Sequence, residues 1–492
     1  MTTPMFLRDL LAGVADPLTA GDIVVSGLTL DSRHVRHGDA FVALHGTREH
    51  GIGHVTSAVQ NGAIAVLAEA PVIDMPEVGV PVLWIDDLRL RLGAIAARFF
   101  GHPSAALTLI GVTGTNGKTS TVQMLSHALR LLGHVSASIG TLGAGMDGAI
   151  EAGERTTPDV ISLHAQLARF RDAGATHVAM EVSSHALDQH RVDGVDFDVA
   201  VFTNLTRDHL DYHGSMQAYG EAKAKLFAWP TLKAVALNID DAFGRELAAS
   251  IDPRVTCLLT GIHVVDADVH ASGVRASNDG LTFHLYTPWG KATIASPLLG
   301  EFNVSNLLGV VACLGALGES FVRIVEVLPQ LSPVRGRMNR LESQPGQPLL
   351  VVDYAHTPDA LEQALASLRA HCAGRLICVF GCGGERDVGK RPQMGAIAER
   401  LADSIIITDD NPRGEDGDAI VTDILGGLTK RAGAKVERDR AHAIVLALDM
   451  AGADDVILIA GKGHETYQEV AGERRPFDDL AVARAAMEAR PC

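Results

Sequence analysis

The sequence has no run of about 18 or more apolar residues, so no segment of it reads as a membrane-spanning helix. Met1 to Val14 carries Arg8 and Asp9 and lacks an apolar stretch ending in a cleavage site, so export is not expected either. Basic residues are in deficit: Lys and Arg total 42 against 59 Asp and Glu, for a net charge of -17. That balance excludes a general nucleic-acid binder, which needs a basic face to displace counterions. It leaves room for a phosphate-bearing small molecule, because a local cluster of donors overcomes a distant negative field. Cysteines are few and scattered, at 257, 313, 372, 378, 382 and 492, with no C-x-x-C pair. They read as reduced thiols of a cytoplasmic protein, with Cys378 and Cys382 as small buried residues rather than metal ligands. Repeats and low-complexity tracts are also missing.

What is present is enough apolar material, 47% of 492 residues, to bury several cores. The length suits about three domains of ~150 residues. Residues 1–106 hold short strand-like runs, such as Ala40-Phe41-Val42-Ala43-Leu44 and Val82-Leu83-Trp84-Ile85, and end at a His102-Pro103-Ser104 turn. From Leu107 onward apolar runs alternate with amphipathic helices, the pattern of a parallel sheet covered by helices. Leu107 to Thr113 reads as a buried strand. A helix follows with Val122, Leu125, Leu129 and Leu132 on one face and Gly133 as its stop. Further strands are predicted at His177 to Val182, Val199 to Thr203 and Ala234 to Asn238, with a boundary near Pro333-Val334-Arg335-Gly336.

The last segment, 336–492, repeats the alternation, with strands predicted at Leu349 to Val352, Leu376 to Phe380, Ser404 to Thr408 and Val456 to Ala460. Each runs into a polar or glycine-rich loop: Asp353-Tyr354-Ala355-His356, Gly381-Cys382-Gly383-Gly384, Asp409-Asp410-Asn411-Pro412-Arg413 and Gly461-Lys462-Gly463-His464-Glu465. Open α/β sheets bind ligands at the carboxyl ends of their strands, so four such loops point to one shared site. The expected fold is therefore α/β. A smaller α/β domain (1–106) precedes a central P-loop-type ATPase domain with a parallel sheet (107–335) and a Rossmann-like domain (336–492).

Gly114-Thr115-Asn116-Gly117-Lys118-Thr119 lies between a predicted strand and helix, as phosphate binding requires. Glycines let backbone N–H groups turn toward the anion. Lys118 is suited to bridging β- and γ-phosphates, and the Thr119 hydroxyl to holding Mg²⁺. The match to the full phosphate-loop pattern is incomplete, since Val112 stands in place of the first glycine and Gly111 lies one residue earlier. ATP binding alone fits motors, switches, kinases and ligases equally.

Six motifs narrow the choice. The loop at 114–119, Glu181-Val182-Ser183-Ser184-His185, the stretch from Thr203 to His213, Asn303-Val304-Ser305-Asn306, Gly336-Arg337-Met338 and Asp353 to Pro358 resemble, in this order, those of the Mur ligases. Leu30-Asp31-Ser32-Arg33 extends the resemblance to the start of the chain. Asp410-Asn411-Pro412-Arg413 resembles the signature of the diaminopimelate-adding branch, where lysine-adding relatives lack the arginine. The physical reason is that a guanidinium can take the far carboxylate of diaminopimelate as a bidentate pair, and lysine has no such carboxylate.

The resemblance implies a cytoplasmic, monomeric, ATP-dependent ligase of peptidoglycan precursor synthesis, and hence of cell shape and division. Its substrates would be a UDP-N-acetylmuramoyl dipeptide and meso-diaminopimelate, joined through an acyl phosphate. It implies catalytic or metal roles for Lys118, Glu181, His209 and Lys223, the last as a CO₂-derived carbamate that gives Mg²⁺ the oxygens an ammonium cannot. Composition does not separate Lys223 from the neighbouring Lys225. ATP would meet Gly114 to Ser120, together with Asn303, Asn306, Arg337, Asp353 and His356. The UDP-linked substrate would meet Leu30, Ser32 and Thr47-Arg48-Glu49, then Thr156, Thr157, Ser183, Gln189 and Arg191. Diaminopimelate would meet Arg386, Asp410, Asn411, Pro412, Arg413, Gly461 and Glu465. One departure is visible: Asn339 and Arg340 follow Gly-Arg-Met where relatives often carry Glu. Other readings are a lysine-adding ligase, a folylpolyglutamate synthetase, a nucleotide-dependent switch without amide chemistry, and a kinase.

Overall fold

A computed structural model describes residues 4–17, 20–46, 49–71, 74–146, 148–153, 155–264, 266–341, 346–430 and 433–489. The chain divides into two compact units, Met1–Thr260 with Gly309–Ser320, and Gly261–Leu308 with Phe321–Cys492. The expected α/β class is borne out in both, each built on a largely parallel sheet.

The first unit opens with four parallel strands in the order Gly27–Thr29, Asp39–Ala43, Ala65–Glu69, Val82–Ile85. Alternate residues feed two cores. Ala40, Val42, Ala65 and Leu67 face the helix Leu88–Phe99, while Phe41, Ala43, Val66 and Ala68 face the helix Val55–Gln60. A strand buried on both faces reads as a continuous apolar run, which is why this one was legible. The first of these cores continues into Val160, Ile161 and Ala168 of the helix Val160–Asp172. Arg171 of that helix donates to the carbonyls of Phe100 and Gly101 at 3.2 and 3.0 Å, pinning the turn that follows the opening segment.

The larger sheet of this unit places Thr108–Thr113 between His177–Glu181 and Val199–Phe202, all parallel. Ser136–Gly140 flanks one side, and Ala234–Asn238 then Thr256–Gly261 extend the other. The chain leaves Thr108–Thr113 in one direction and later returns to its other side, so a crevice opens at the carboxyl end of that strand. The helix Lys118–Leu131 buries Val122, Leu125 and Leu129, as the periodicity predicts.

The second unit carries six strands in the order Asn339–Arg340, Leu349–Asp353, Val456–Ala460, Leu376–Phe380, Ser404–Ile407, Ala434–Val436, parallel except for the first. The last strand in sequence, Val456–Ala460, is fully buried at the centre. Leu349, Val351, Leu376 and Cys378 face one core, and Leu350, Val352, Ile377 and Val379 the other. This unit also holds an antiparallel meander, Val269–Ser277, Gly280–Thr287 and Gly290–Ser296, and a hairpin, Tyr467–Val470 with Glu473–Pro476. Neither was anticipated.

A buried ion pair fixes the strand ends of this second sheet. Arg440 grips Asp479 through Nε and Nη2 at 2.7 and 2.8 Å, with both side chains fully buried. The same guanidinium donates to the carbonyls of Ala460 (3.0 Å) and Asp409 (3.3 Å), where two strands run into their loops. Removing one partner strands a charge in the interior, which typically costs about 3–5 kcal/mol. Asp479→Ala should lower stability by that order in urea denaturation. The paired change Arg440→Met with Asp479→Leu should recover most of the loss. Equal losses in single and paired variants would refute this account.

Candidate active site

The phosphate loop needs both of its glycines. Gly114 sits at φ +151, and a Cβ there would meet the Thr203 hydroxyl at 1.9 Å. Gly117 takes φ +85 immediately before the helix, a left-handed position that favours glycine. The stretch after the strand Val199–Phe202 braces the loop. Thr115 N–H donates to the Asn204 carbonyl (2.8 Å), Asn116 N–H to Asn204 Oδ1 (2.9 Å), and the Thr203 hydroxyl to the Asn116 carbonyl (2.6 Å). Lys118 Nζ folds over the loop and donates to the carbonyls of Gly114 and Thr115 at 2.9 and 2.8 Å. Thr119 is buried at the first turn of the helix.

Lys223 comes to the same loop from the helix Met216–Ala224. It is 1% exposed, donates to the Gly114 carbonyl at 2.8 Å, and lies 4.4 Å from the centre of the Tyr219 ring. Burial, with Lys118 as a second cause, pulls its amine down to about 6, so it is largely neutral near pH 7. Lys225 instead is exposed and pairs with Asp188 at 3.1 Å. The fold thus separates two lysines that composition could not.

Glu181 ends the strand His177–Glu181 at 1% exposure. Its carboxylate accepts from the Thr141 N–H (2.8 Å) and hydroxyl (3.2 Å), and among the described residues it makes no ion pair. Thr156 bonds to the Thr141 hydroxyl (3.1 Å), and Thr157 donates to the Glu181 carbonyl (2.8 Å). Ser183 caps the helix Ser184–Asp188 and donates its N–H to Thr157 Oγ1 (3.1 Å). Arg191 donates to Gln189 Oε1 at 3.0 Å and to the Thr157 carbonyl at 3.3 Å. Five residues expected around the UDP-linked substrate therefore gather beside Glu181. His209 is exposed, 3.4 Å from Asp208 and ring to ring with His185 at 4.8 Å. Burial lowers the pKa of His185 and of nearby His213, favouring neutral imidazoles.

In the opening segment Leu30 packs on the core, and the Ser32 carbonyl accepts from Asn61 at 2.8 Å. Asp31 caps the turn Ser32–His34 and clamps Arg33, which with the turn's N–H holds its carboxyl at about 2. Glu49 pairs with His54 at 3.3 Å, and Thr47 and Arg48 lie outside the described residues.

The second unit gathers two groups at its strand ends. In one, Arg337, His356 and His464 surround the Tyr354 ring at 4.9, 4.4 and 4.9 Å. Asp353 accepts from the N–H groups of Met338 (2.6 Å) and Ala355 (2.8 Å), while burial raises its pKa. His356 Nδ1 donates to the Tyr354 carbonyl at 2.8 Å, and burial keeps the ring neutral, leaving Nε2 as an acceptor. Asn303 and Asn306 are buried and bonded to each other at 3.1 Å. Asn339 and Arg340 form the edge strand of the sheet, with Arg340 3.7 Å from Asp279.

In the other group, Arg413 donates to the Gly384 carbonyl at 2.7 Å. A Cβ on Gly383 would lie 3.0 Å from the Arg413 guanidinium and 3.8 Å from Arg386 Cγ, so this glycine leaves room where two arginines meet. Asn411 donates to Glu465 Oε2 at 2.8 Å, and a Cβ on Gly461 would lie 2.7 Å from Asp410 Oδ2. Pro412 is buried between Asn411 and Arg413.

Family models match three stretches: "Mur ligase family, catalytic domain" at 24–100, "Mur ligase middle domain" at 112–314 and "Mur ligase, glutamate ligase domain" at 336–463. A Xanthomonas campestris pv. campestris protein named UDP-N-acetylmuramoyl-L-alanyl-D-glutamate--2,6-diaminopimelate ligase is 58% identical, over 99% of this chain and 98% of its own. The chain belongs to the Mur ligase family. A relative of the same name from Pseudomonas aeruginosa is 50% identical over 99% of both chains. A solved structure of that name superposes with a TM-score of 0.76 at 35% identity, covering 99% of each chain.

The family implies Mg²⁺, and the donor set of this Mur ligase suits it in part. A buried carboxylate without a cationic partner among the described residues, Glu181, is a place for a cation, and Mg²⁺ that keeps several waters needs only one or two carboxylates. Among the described residues no three His, Cys, Asp or Glu side chains converge, so a further oxygen donor has to come from elsewhere. Sequence reasoning missed Thr141, which orients Glu181, and Lys462, which ties Asn411 to Glu465. The first carries no sequence signal. The second lay in a loop already singled out.

The unfolded chain protonates Lys223 at an ordinary lysine pKa of about 10.4, and the folded chain only below about 6. Between those values stability rises with pH. Lys223→Met removes the cost, and the Gly114 carbonyl keeps its bond from Lys118. In CO₂-depleted buffer this variant should melt at least ~2 °C above the parent at pH 7. The gain should shrink toward pH 10, and a gain independent of pH would contradict the assignment.

Proposed function

We propose that this chain is an ATP-dependent ligase that joins meso-2,6-diaminopimelate to the D-glutamate γ-carboxylate of UDP-N-acetylmuramoyl-L-alanyl-D-glutamate in the cytoplasm, acting as a monomer. The relatives' names support the substrates. The single observation that carries the acceptor is that Arg413 and Arg386 both come to Gly383, while Asn411, two residues before Arg413, holds the acidic Glu465. A zwitterionic amino-acid end with its own carboxylate suits that arrangement, and a lysine side chain ending in an ammonium does not. In this reading residues 1–106 and 107–335 handle the UDP-linked substrate and ATP, and residues 336–492 the acceptor.

Lys118 and the loop N–H groups hold the β- and γ-phosphates, and Arg191 and the Thr156–Thr157 hydroxyls orient the dipeptide end. Family resemblance adds Arg337, Asp353, His356, Asn303 and Asn306 as further residues for ATP. The γ-carboxylate attacks the γ-phosphorus, ADP leaves, and an acyl phosphate remains. The acceptor amine then adds to the acyl carbon, loses a proton, and expels inorganic phosphate. Mg²⁺, when bound, supplies positive charge between two reacting anions. Glu181, His209, the Thr119 hydroxyl and a carbamate on Lys223 would hold it. A neutral, buried Lys223 amine is the form that reacts with CO₂.

Two assays test this reading. Incubation with UDP-muramoyl dipeptide, ATP, Mg²⁺ and either diaminopimelate or lysine should yield a product heavier by one diaminopimelate residue, and little lysine adduct. Preferred lysine use would defeat the assignment. Phosphate release independent of acceptor would point to a switch, and a stable phosphorylated product to a kinase. Lys223→Ala should lose activity by about 100-fold or more and regain part of it with millimolar short carboxylates. Absence of any regain would count against the carbamate.

A further inference from the structure

Lys462 has no exposed side-chain surface, yet it lies in the loop that follows the central strand Val456–Ala460. Its ammonium donates to Asn411 Oδ1 at 2.9 Å and to Glu465 Oε2 at 3.1 Å, with Asp410 Oδ1 3.9 Å away. The Glu469 N–H also donates to Asn411 Oδ1, at 3.0 Å. With two donors on its oxygen, the Asn411 amide can turn only one way, and its nitrogen donates to Glu465 Oε2 at 2.8 Å. Glu465 Oε2 thus accepts twice, while Oε1 has no hydrogen-bond partner among the described residues. Two carboxylates, Asp410 and Glu465, face one ammonium, and Arg440 and Asp479 behind them cancel each other. Burial raises the pKa of Asp410, so Glu465, partly exposed and 3.1 Å from the ammonium, is the carboxylate of the two that reaches outward.

We propose that Lys462 is a positioning residue for acceptor choice: it locks Asn411 and Glu465 so that one carboxylate oxygen is presented to the ammonium at the far end of the acceptor. The inference rests on the reading above, that the acceptor is diaminopimelate. A buried charge is costly to keep unless something uses its geometry, and a methionine of similar length would fill the same space. Lys462 cannot touch phosphate or solvent directly, which separates its role from that of Lys118. Arg413 holds the carboxylate of the acceptor's far end, and the Lys462-set Glu465 holds its ammonium.

The test compares two acceptors on the full-length enzyme: meso-diaminopimelate, and 2-aminopimelate, which keeps the far carboxylate but lacks the far ammonium. Lys462→Met should raise the KM for diaminopimelate by roughly 30-fold or more, with the KM values for ATP and the UDP-linked substrate within about twofold. The parent's preference for diaminopimelate over 2-aminopimelate should collapse in the variant. Equal penalties on both acceptors, or an unchanged KM for diaminopimelate, would overturn the proposal. Should the single variant fold poorly, Lys462→Met with Glu465→Gln removes cation and anion together. That pair should discriminate no better than Glu465→Gln alone, and parental selectivity in it would overturn the proposal. A parent enzyme that makes no diaminopimelate product defeats the ligase reading instead, so the two failures are distinct.

Discussion

Two lysine side chains converge on one backbone oxygen, that of Gly114, and much of the first unit follows from it. Burial disfavours an ammonium at Lys223, and the nearby charge of Lys118 adds to that, so one of the two gives up its charge. Lys118, partly exposed, folds over the loop and also reaches the Thr115 carbonyl. Lys223, sealed beneath Tyr219 and the loop, becomes the neutral amine. The carbonyl can accept both only because Gly114 has no side chain. A Cβ there would strike the Thr203 hydroxyl, which itself holds the loop at Asn116. The same small residue therefore shapes the loop and lets both lysines reach one carbonyl.

The second unit solves a different problem, holding charged loops still at the ends of buried strands. Its answer is ion pairing in depth. Arg440 and Asp479 are sealed from water, and Arg440 donates to the carbonyls of Ala460 and Asp409, where the loops that carry Lys462 and Asp410 begin. Nearer the surface Arg391 holds Glu415 through two bonds of 2.7 and 2.8 Å, steadying the loop that follows Arg413. Such pairs add little net stability over apolar packing, but their directionality fixes where loops begin.

How much of this was legible depended on burial. Strands buried on both faces, such as Leu376–Phe380 and Val456–Ala460, are unbroken apolar runs and were placed to the residue. The meander at 269–296 alternates buried and exposed residues along short stretches rich in Thr, Ser and Ala, and it escaped notice. Family resemblance pointed to Lys223, and only the fold shows why Lys225, two residues on, is a surface ion pair. The Glu181–Thr141 contact joins residues 40 apart in sequence, and no local pattern encodes it. Lys462 was in plain view in a glycine-rich loop, but its burial and its bond to Asn411 depend on a segment 51 residues away in sequence.

Arg413, on which the proposed acceptor choice rests, is also under backbone constraint. Arg413 has φ +55, in the left-handed region that non-glycine residues rarely enter. It stays there because the hairpin holds it on both sides: its N–H donates to the Glu469 carbonyl at 2.9 Å, and its carbonyl accepts from Ala471 N–H at 2.6 Å. Pro412 precedes it with a fixed φ, narrowing what the turn can do. A strained conformation of this kind costs of order 1–3 kcal/mol and persists only where its surroundings over-determine it. Here the strain aims the guanidinium at the Gly384 carbonyl, next to Gly383, instead of into solvent. The hairpin thus supports the proposed acceptor site without supplying any of the residues first expected there. Its Glu469 ties the backbone of Arg413 and the amide of Asn411 to one short strand, so the two halves of the proposed site share a single support.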